Sequence, residues 1–408
     1  MMSGYKQLPK GWEVKRLGEV GKIFNGNSIN SAVKKEKYLN IESGIPYIAT
    51  KDISYKNIID YSNGVSIPFE EKIKFKFILA NTILICSEGG SAGRKIGFTN
   101  QEVCFGNKLF ALIPSKNIDA KYIYYFYFSD DFQKNFQSQI TGIIGGVSVA
   151  KFKKLNIPFP PPPEQKRIVA ILDKAFKAID LAKINAEQNL KNAKELFESY
   201  LQNIFENKGD DWVEKKLGEV CEIQLGKTPY RKTQSFWDRD KETSNVWLSI
   251  ADMKHGEELF DSKEYISDLG VKNIKYVPKD TLMLSFKLTL GRVSFSGKDL
   301  FTNEAIASLV KLSPKVDKKF LFYYFSFFDW HKETEGDQKV KGRTLNKEKL
   351  KSLSIIVPSL PEQKQIVKKL DALQTQTKKL ETLYQQKINN LVELKKSVLQ
   401  KAFAGELT

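Results

Sequence analysis

Two stretches of this chain occur twice. WEVKRLGEV, from Trp12, returns as WVEKKLGEV from Trp212, and PEQKRIVAILD, from Pro163, returns as PEQKQIVKKLD from Pro361. The spacing is 200 residues at the two tryptophans and at Tyr47 and Trp247. It is 199 at Thr82 and Thr281, and 198 at Gly93-Arg94 against Gly291-Arg292 and at Asp119 against Asp317. So long a period is not that of a solenoid; it fits a duplicated domain plus its connector. The two halves are therefore expected to share one fold and to carry two similar sites, an organisation that suits a two-part target.

Composition narrows the class. The 408 residues suffice for two cores, and 41% hydrophobic content is that of a globular chain. No apolar run reaches membrane-spanning length and no secretory signal opens the chain, so the expected compartment is the cytoplasm and no membrane partner is expected. Cys86, Cys104 and Cys221 are scattered, with no CxxC, and read as small buried hydrophobes under reducing conditions. With His255 and His331 as the two histidines, a metal centre is not expected. The net charge is +17. Residues 1–160 hold 22 basic and 13 acidic side chains, whereas 161–207 hold seven of each. Such a basic surface favours a polyanionic partner, above all nucleic acid.

Each half ends in a long helix. In the first, the prolines of PPPPEQK stop the preceding strand and are tolerated in a first helical turn, where Glu164 is also favoured. Apolar residues then follow in steps of four and three: Ile168, Leu172, Ala175, Ile179, Ala182, Ala186, Ala193, Leu196 and Tyr200. The second helix repeats this at Ile366, Leu370, Leu373, Thr377, Leu380, Tyr384, Leu391, Leu394 and Val398. This is a heptad seam, with Asn189 and Lys387 as equivalent polar slots. Pro163 to Asn207 is 45 residues, roughly 67 Å of helix at about 1.5 Å per residue. The expected organisation is a first globular domain (1–158), a long helix (159–207), a second globular domain (208–356) and a second long helix (357–408). Paired antiparallel in a pseudo-twofold arrangement, the helices would act as a ruler that holds the two domains about 34 Å apart, one turn of DNA, or somewhat more.

The globular parts read as α+β. Strands are expected at Ile45–Ala49, Asn81–Cys86, Ile96–Thr99 and Leu109–Pro114. Their counterparts are Val246–Ile250, Thr281–Phe286, Arg292–Ser296 and Ile306–Leu312. Lys121–Phe136 and Lys318–Lys332 read as helical, their aromatics as core.

Loops rich in Gly, Ser, Asn, Lys and Arg are the candidates for DNA contact, because phosphates and base edges need exposed donors. In the first half these are Lys34, Lys35, Lys37, Lys51, Arg94, Lys95, Lys108 and the Gly142–Lys151 loop. In the second they are Lys227, Thr228, Arg231, Lys232, Arg239, Lys287, Arg292, Lys339, Lys341 and Arg343. Arg94 and Arg292, in matching GR dipeptides, are expected to share a phosphate-contacting role. Catalytic readings fail. LGKT at Leu225 would need glycine at position 221 to make a P-loop, and Cys221 stands there. No [ND]PP[YFW] amino-methyltransfer motif, glycine-rich S-adenosylmethionine turn, acidic nuclease core or His-based nucleophile system is found.

The order of globular part, PPxPEQ, long helix, globular part, PEQ and long helix, with W-x-x-x-[RK]-L-G-E-V at the start and AFAGEL from Ala402, resembles the specificity subunit of type I restriction-modification enzymes over essentially the whole chain. The resemblance implies two target recognition domains, each reading half of a bipartite double-stranded DNA sequence. It implies helices that set the spacer and dock two methyltransferase (modification) subunits, and restriction subunits that complete an ATP-dependent nuclease. S-adenosylmethionine, ATP and Mg would then belong to those partners, none to this chain. An S-like decoy, a subunit of a related restriction system, and a coiled-coil scaffold unrelated to DNA are the alternatives the sequence leaves open.

Overall fold

A computed structural model describes residues 8–407 except 257, 288, 331, 333–337, 340, 341 and 344. The chain divides into two compact units, residues 1–188 with 385–408, and residues 189–384. The division falls inside both long helices, Pro162–Glu206 and Leu360–Ala404. Each unit thus owns the start of one helix and the end of the other.

The repeated motifs are the joints of the scaffold. Glu13–Arg16 pairs antiparallel with Asn156–Phe159, as Val213–Lys216 pairs with Ser354–Val357. LGEV is a single helical turn in both halves (Leu17–Val20 and Leu217–Val220). Its glutamate accepts the backbone N–H of the residue before the turn: Arg16 N donates to Glu19 Oε2 at 2.5 Å and Lys216 N to Glu219 Oε2 at 3.0 Å. That bond satisfies a donor which a helix start leaves orphaned. The glycine is there for space, since a Cβ on Gly18 would lie 3.2 Å from Lys153 Cβ and one on Gly218 3.1 Å from Lys351 Cβ.

The glutamine of PEQ is wholly buried in both halves. Gln165 accepts from Asp119 N at 3.0 Å and donates to Pro160 O at 2.9 Å; Gln363 accepts from Asp317 N at 2.7 Å and donates to Pro358 O at 2.8 Å. One amide thus ties strand end, long helix and aromatic helix together. The aspartate of ILD and KLD repeats this logic: Asp173 takes Lys121 (2.7 Å) and the Tyr125 hydroxyl, Asp371 takes Lys319 (2.8 Å) and the Tyr323 hydroxyl (2.7 Å).

Between these joints lie the sheets. In the first unit Gly21–Asn25, Leu109–Pro114, Ile83–Cys86 and Ile96–Phe98 form an antiparallel sheet in that order. Ser66–Ile67, Ile45–Ile48, Val103–Phe105 and Phe77–Ile78 form a second sheet, with one parallel pair. The second unit repeats the first sheet with Glu222–Leu225, Ile306–Val310, Leu282–Ser285 and Val293–Ser296, extended by Glu258–Leu259. The expected strands are all present, most of them one or two residues shorter. The expected Lys121–Phe136 helix is two, Ala120–Phe126 and Asp130–Ser138, because Ser129 caps a new start by accepting from Phe132 N at 3.2 Å. The expected Lys318–Lys332 helix ends at Phe327.

In the first unit the two helix pieces run antiparallel: Asp180 meets Lys395 at 2.8 Å while Arg167 donates to Leu407 O at 2.6 Å. Of the expected seam residues, Ile168, Leu172, Ile179, Ile366 and Leu370 are buried in the cores, whereas Leu196 (50% exposed), Leu380, Leu394, Asn189 and Lys387 are exposed. The buried stripe keeps Ala186 and Ala193 of that seam but then passes through Leu201 and Phe205 rather than Leu196 and Tyr200, and in the other helix it runs through the half-buried Ile388 and Leu391 to the buried Leu399. A helix with 3.6 residues per turn drifts by about 20° per heptad against a strict seven-residue pattern. Over so long a helix that drift moves the inward face on by one position.

Candidate nucleic-acid interface

In the first unit, loops converge at one end of the sheets. They follow Asn25, Ile48 and Cys86 and precede Ile96 and Leu109, and strand register places these ends together (Asn25 opposite Phe110, Cys86 opposite Leu109, Ile48 opposite Phe105). Three loops are laced by backbone bonds. Ser87 N donates to Lys108 O at 2.9 Å, Val147 N to Ser87 O at 2.9 Å, and Gly89 N to Gly145 O at 2.7 Å. The 87–95, 106–108 and 141–147 segments therefore form one surface.

On this surface the expected cations differ in freedom. Lys108 is paired with Glu88 at 2.9 Å, and that hydrogen bond raises its pKa. Lys95 donates to Thr50 O at 3.0 Å and lies over the Tyr55 ring at 5.0 Å; the Tyr55 hydroxyl meets Ser91 Oγ at 3.2 Å. Lys34 lies over the Tyr47 ring at 5.0 Å, its pKa lowered by burial and then by Lys51. Lys51 is exposed, 4.0 Å from the buried Asp52, whose carboxylate caps the Thr50–Asp52 turn at Ala49 N (2.8 Å). Lys35 and Lys37 are exposed at the end of the Ser31–Lys37 helix, and Arg94 is exposed at its turn.

The second unit carries the same frame with other side chains. Trp247 Nε1 donates to Lys227 O at 3.1 Å where the Tyr47 hydroxyl donates to Asn27 O at 2.7 Å. Thr228 donates to Glu304, and Lys287 lies over Phe286 at 5.3 Å. Arg231 is ion-paired with Glu264 and sits over Trp237 (4.0 Å) and Trp247 (4.8 Å). Lys227, Lys232 and Arg239 are exposed. Lys339 and Arg343 belong to a short backbone ladder, Gln338–Lys339 with Gly342–Arg343; Lys341 lies outside the described residues.

The expected equivalence of Arg94 and Arg292 does not hold. Gly93 and Gly291 do match: both have positive φ (73° and 80°), and both donate to the end of the preceding strand, at Cys86 O and Ser285 O. After them the halves are out of step. Cys86 N donates to Lys95 O (3.0 Å) as Ser285 N donates to Arg292 O (2.9 Å), so Lys95 is the counterpart of Arg292. Both cations anchor the equivalent turn: Lys95 reaches Thr50 O, and Arg292 Nη1 reaches Ile250 O and Met253 O, each at 3.1 Å. Arg94 is thus an inserted residue without a counterpart, and Arg292 is a structural brace. The matching GR letters hid this, because the one-residue shift lies inside the dipeptide. Sequence reading also missed Glu88, Tyr55 and Glu304, which only their partners on this surface reveal.

A family model described as the type I restriction modification DNA specificity domain matches residues 9–192 and again 209–390. The type I restriction enzyme MjaIX specificity subunit of Methanocaldococcus jannaschii is 23% identical, over 98% of this chain and 94% of its own length. The EcoKI specificity subunit of Escherichia coli K12 is 24% identical, over 98% and 90%. Among solved structures, the HsdS subunit from Thermoanaerobacter tengcongensis superposes with a TM-score of 0.68 at 19% identity, covering 100% of both chains. A chain solved in work on complex assembly and conformational transition of the type I R-M system gives 0.78 at 18% identity, covering 98% of this chain and 100% of that one. These two likenesses concern the fold.

Proposed function

From the premise that the chain belongs to the type I restriction-modification DNA specificity family, we propose that it is the specificity subunit of such a system. In this reading it does no chemistry of its own. Each half reads one part of a bipartite double-stranded DNA target, and the long helices recruit two methyltransferase subunits and, through them, the restriction subunits. S-adenosylmethionine, ATP and Mg act on those partners, and the site of action is the cytoplasm; among the described residues no helix is long and apolar enough to cross a membrane.

The observation that carries the reading is the pair of equivalent loop surfaces, one per unit, on a shared frame. The frame is the same in both halves: the Tyr47 and Trp247 ties, the Lys95 and Arg292 braces, the buried glutamines. The loops it holds differ, SEGGSAG in one half and SFKLTLG in the other. A constant frame with unlike loops is what two different half-sites demand. Exposed Lys35, Lys37, Lys51, Arg94, Lys227, Lys232 and Arg239 supply phosphate contacts that fix register, and base edges in the major groove supply discrimination. Linking the two halves in one polypeptide raises affinity by making the second contact intramolecular. Methylation lies with the partners, which must turn a base out of the stack to reach it.

The test is methylation mapping. The chain is co-expressed with its methyltransferase subunits in a host lacking other modification, and the host DNA is sequenced with detection of modified bases. Methylation at one split motif, present only with this chain, is the expected result. Methylation that is absent or indifferent to the chain would leave a decoy or a scaffold instead.

A further inference from the structure

We propose that the hairpin spanning Thr141 to Val147 reads a thymine in the first half-site, with Ile143 and Ile144 packed on its 5-methyl group. This deepens the DNA-reading function above and rests on it.

Ile143 is fully exposed and Ile144 is 75% exposed, side by side at the tip of the loop. Two adjacent β-branched aliphatics held in water are unfavourable unless a partner covers them. Nor is the loop slack. Thr141 and Gly146 exchange backbone bonds of 2.9 and 3.0 Å, and Gly145 N closes the tip on Gly142 O at 3.1 Å. Gly142 and Gly145 take positive φ of 86° and 71°, a backbone that suits glycine. The base of the hairpin is bonded to the neighbouring loop through Gly145 O and Val147 N. Lys151 Nζ lies 3.4 Å from Thr141 Oγ1. The isoleucines are thus carried on a braced, preorganised support.

Charge identifies the partner. The tip stands on the surface that also carries Arg94, Lys95 and Lys108, beside a loop with two of these cations at its end. An apolar tip on a surface that carries the exposed Arg94, with Lys95 held on Thr50 O and Lys108 paired with Glu88, fits duplex DNA better than an apolar protein groove. The edges of the major groove offer one apolar group, the thymine methyl. The second half differs at this place. Leu345 N donates to Phe286 O as Val147 N donates to Ser87 O, so the counterpart of TGIIGG is the sequence KVKGRT, basic rather than apolar. One half-site is then read here through a methyl group and the other is not.

The experiment uses the chain assembled with its methyltransferase subunits and duplexes carrying the motif found by mapping. Each thymine of the half-site read by residues 8–159 is replaced singly by deoxyuridine, which removes only the methyl group. Binding is measured for the wild type, for Ile143→Ala/Ile144→Ala, and for Arg94→Ala as a phosphate control. The expected result is one position where uridine weakens wild-type binding about fourfold, the worth of one buried methyl. That loss disappears in the double-alanine complex and persists in Arg94→Ala. A half-site without thymine, or no uridine effect, overturns the proposal. A double-alanine loss that is equal for thymine and uridine also overturns it, and points to a wedge between base steps instead. In all three cases the split methylation motif remains, so the specificity function stands; if the motif itself is missing, that function has failed first.

Discussion

At the residue scale, the cations separate by what they already hold. Arg292 spends its guanidinium on two backbone carbonyls, whereas its apparent twin, Arg94, is exposed on an inserted residue. Arg292→Ala is therefore expected to lower stability by about 1–3 kcal/mol, because Ile250 O and Met253 O lose their donor. Arg94→Ala should leave stability within about 0.5 kcal/mol. It should instead reduce the salt dependence of DNA binding by about one phosphate contact. Denaturant titration and binding isotherms at several salt concentrations separate the two; a stable Arg292→Ala with a shallower salt slope would reverse the assignment. The cysteines make a second prediction. All three are buried, and burial pushes the Cys104 and Cys221 thiols up to about 12. The thiolate is the nucleophile, so a thiol reagent at neutral pH should label them only as the fold opens, and rapid labelling of native protein would contradict their burial. Composition and the absence of CxxC were enough to read these cysteines as inert. Residue letters alone could not separate brace from contact, because an arginine on a carbonyl and an arginine awaiting a phosphate look alike until the backbone register is known.

At the scale of elements, the sequence was most legible where a local rule fixes the answer. PEQ, LGEV and the ILD/KLD aspartates recur because each completes a hydrogen bond that the fold leaves open, and the strand edges agree to within a residue or two. The helices were legible in position and length and illegible in phase. A fixed heptad carried along 45 residues put Leu196 on the seam, whereas accumulated drift leaves it outside and buries Leu201. The pair gives a clean test. Leu201→Ala should cost about 2–4 kcal/mol, the range for a buried leucine, and Leu196→Ala within about 0.5 kcal/mol, the range for a surface site. Chemical denaturation of the two variants decides which register is right. The aromatic helix of the first half failed to read as two helices for a different reason: Ser129 acts as a cap only because the chain turns there, and an isolated serine in an apolar run gives no such notice.

At the scale of the whole molecule, each globular part packs not only on the start of the long helix that follows it but also on the end of the other long helix. Phe403, near the C-terminus, packs against Tyr122 and Phe126 at 5.3 Å in the core of the first unit, beside Leu399 and Ala402. Phe205, at the matching place in the first long helix, packs against Phe320 at 5.7 Å and Tyr324 at 5.5 Å in the core of the second. Each half therefore completes its core with the last turns of the helix that follows the other half. In sequence this appears only as two phenylalanines 198 residues apart, in the unlike contexts IFEN and AFAG, and nothing local says which core either one enters. The consequence is a crossed response. Phe403→Ala should remove about 3–5 kcal/mol from the unit that begins at the other end of the chain. Amide exchange should rise in Ile83–Cys86 and Leu109–Pro114 while Leu282–Ser285 and Ile306–Val310 keep their protection. Phe205→Ala should do the reverse. If each substitution instead loosened the strands of the half in which its own residue number lies, the cores would be built within each repeat, and the long helices would be connectors to the domains rather than parts of them.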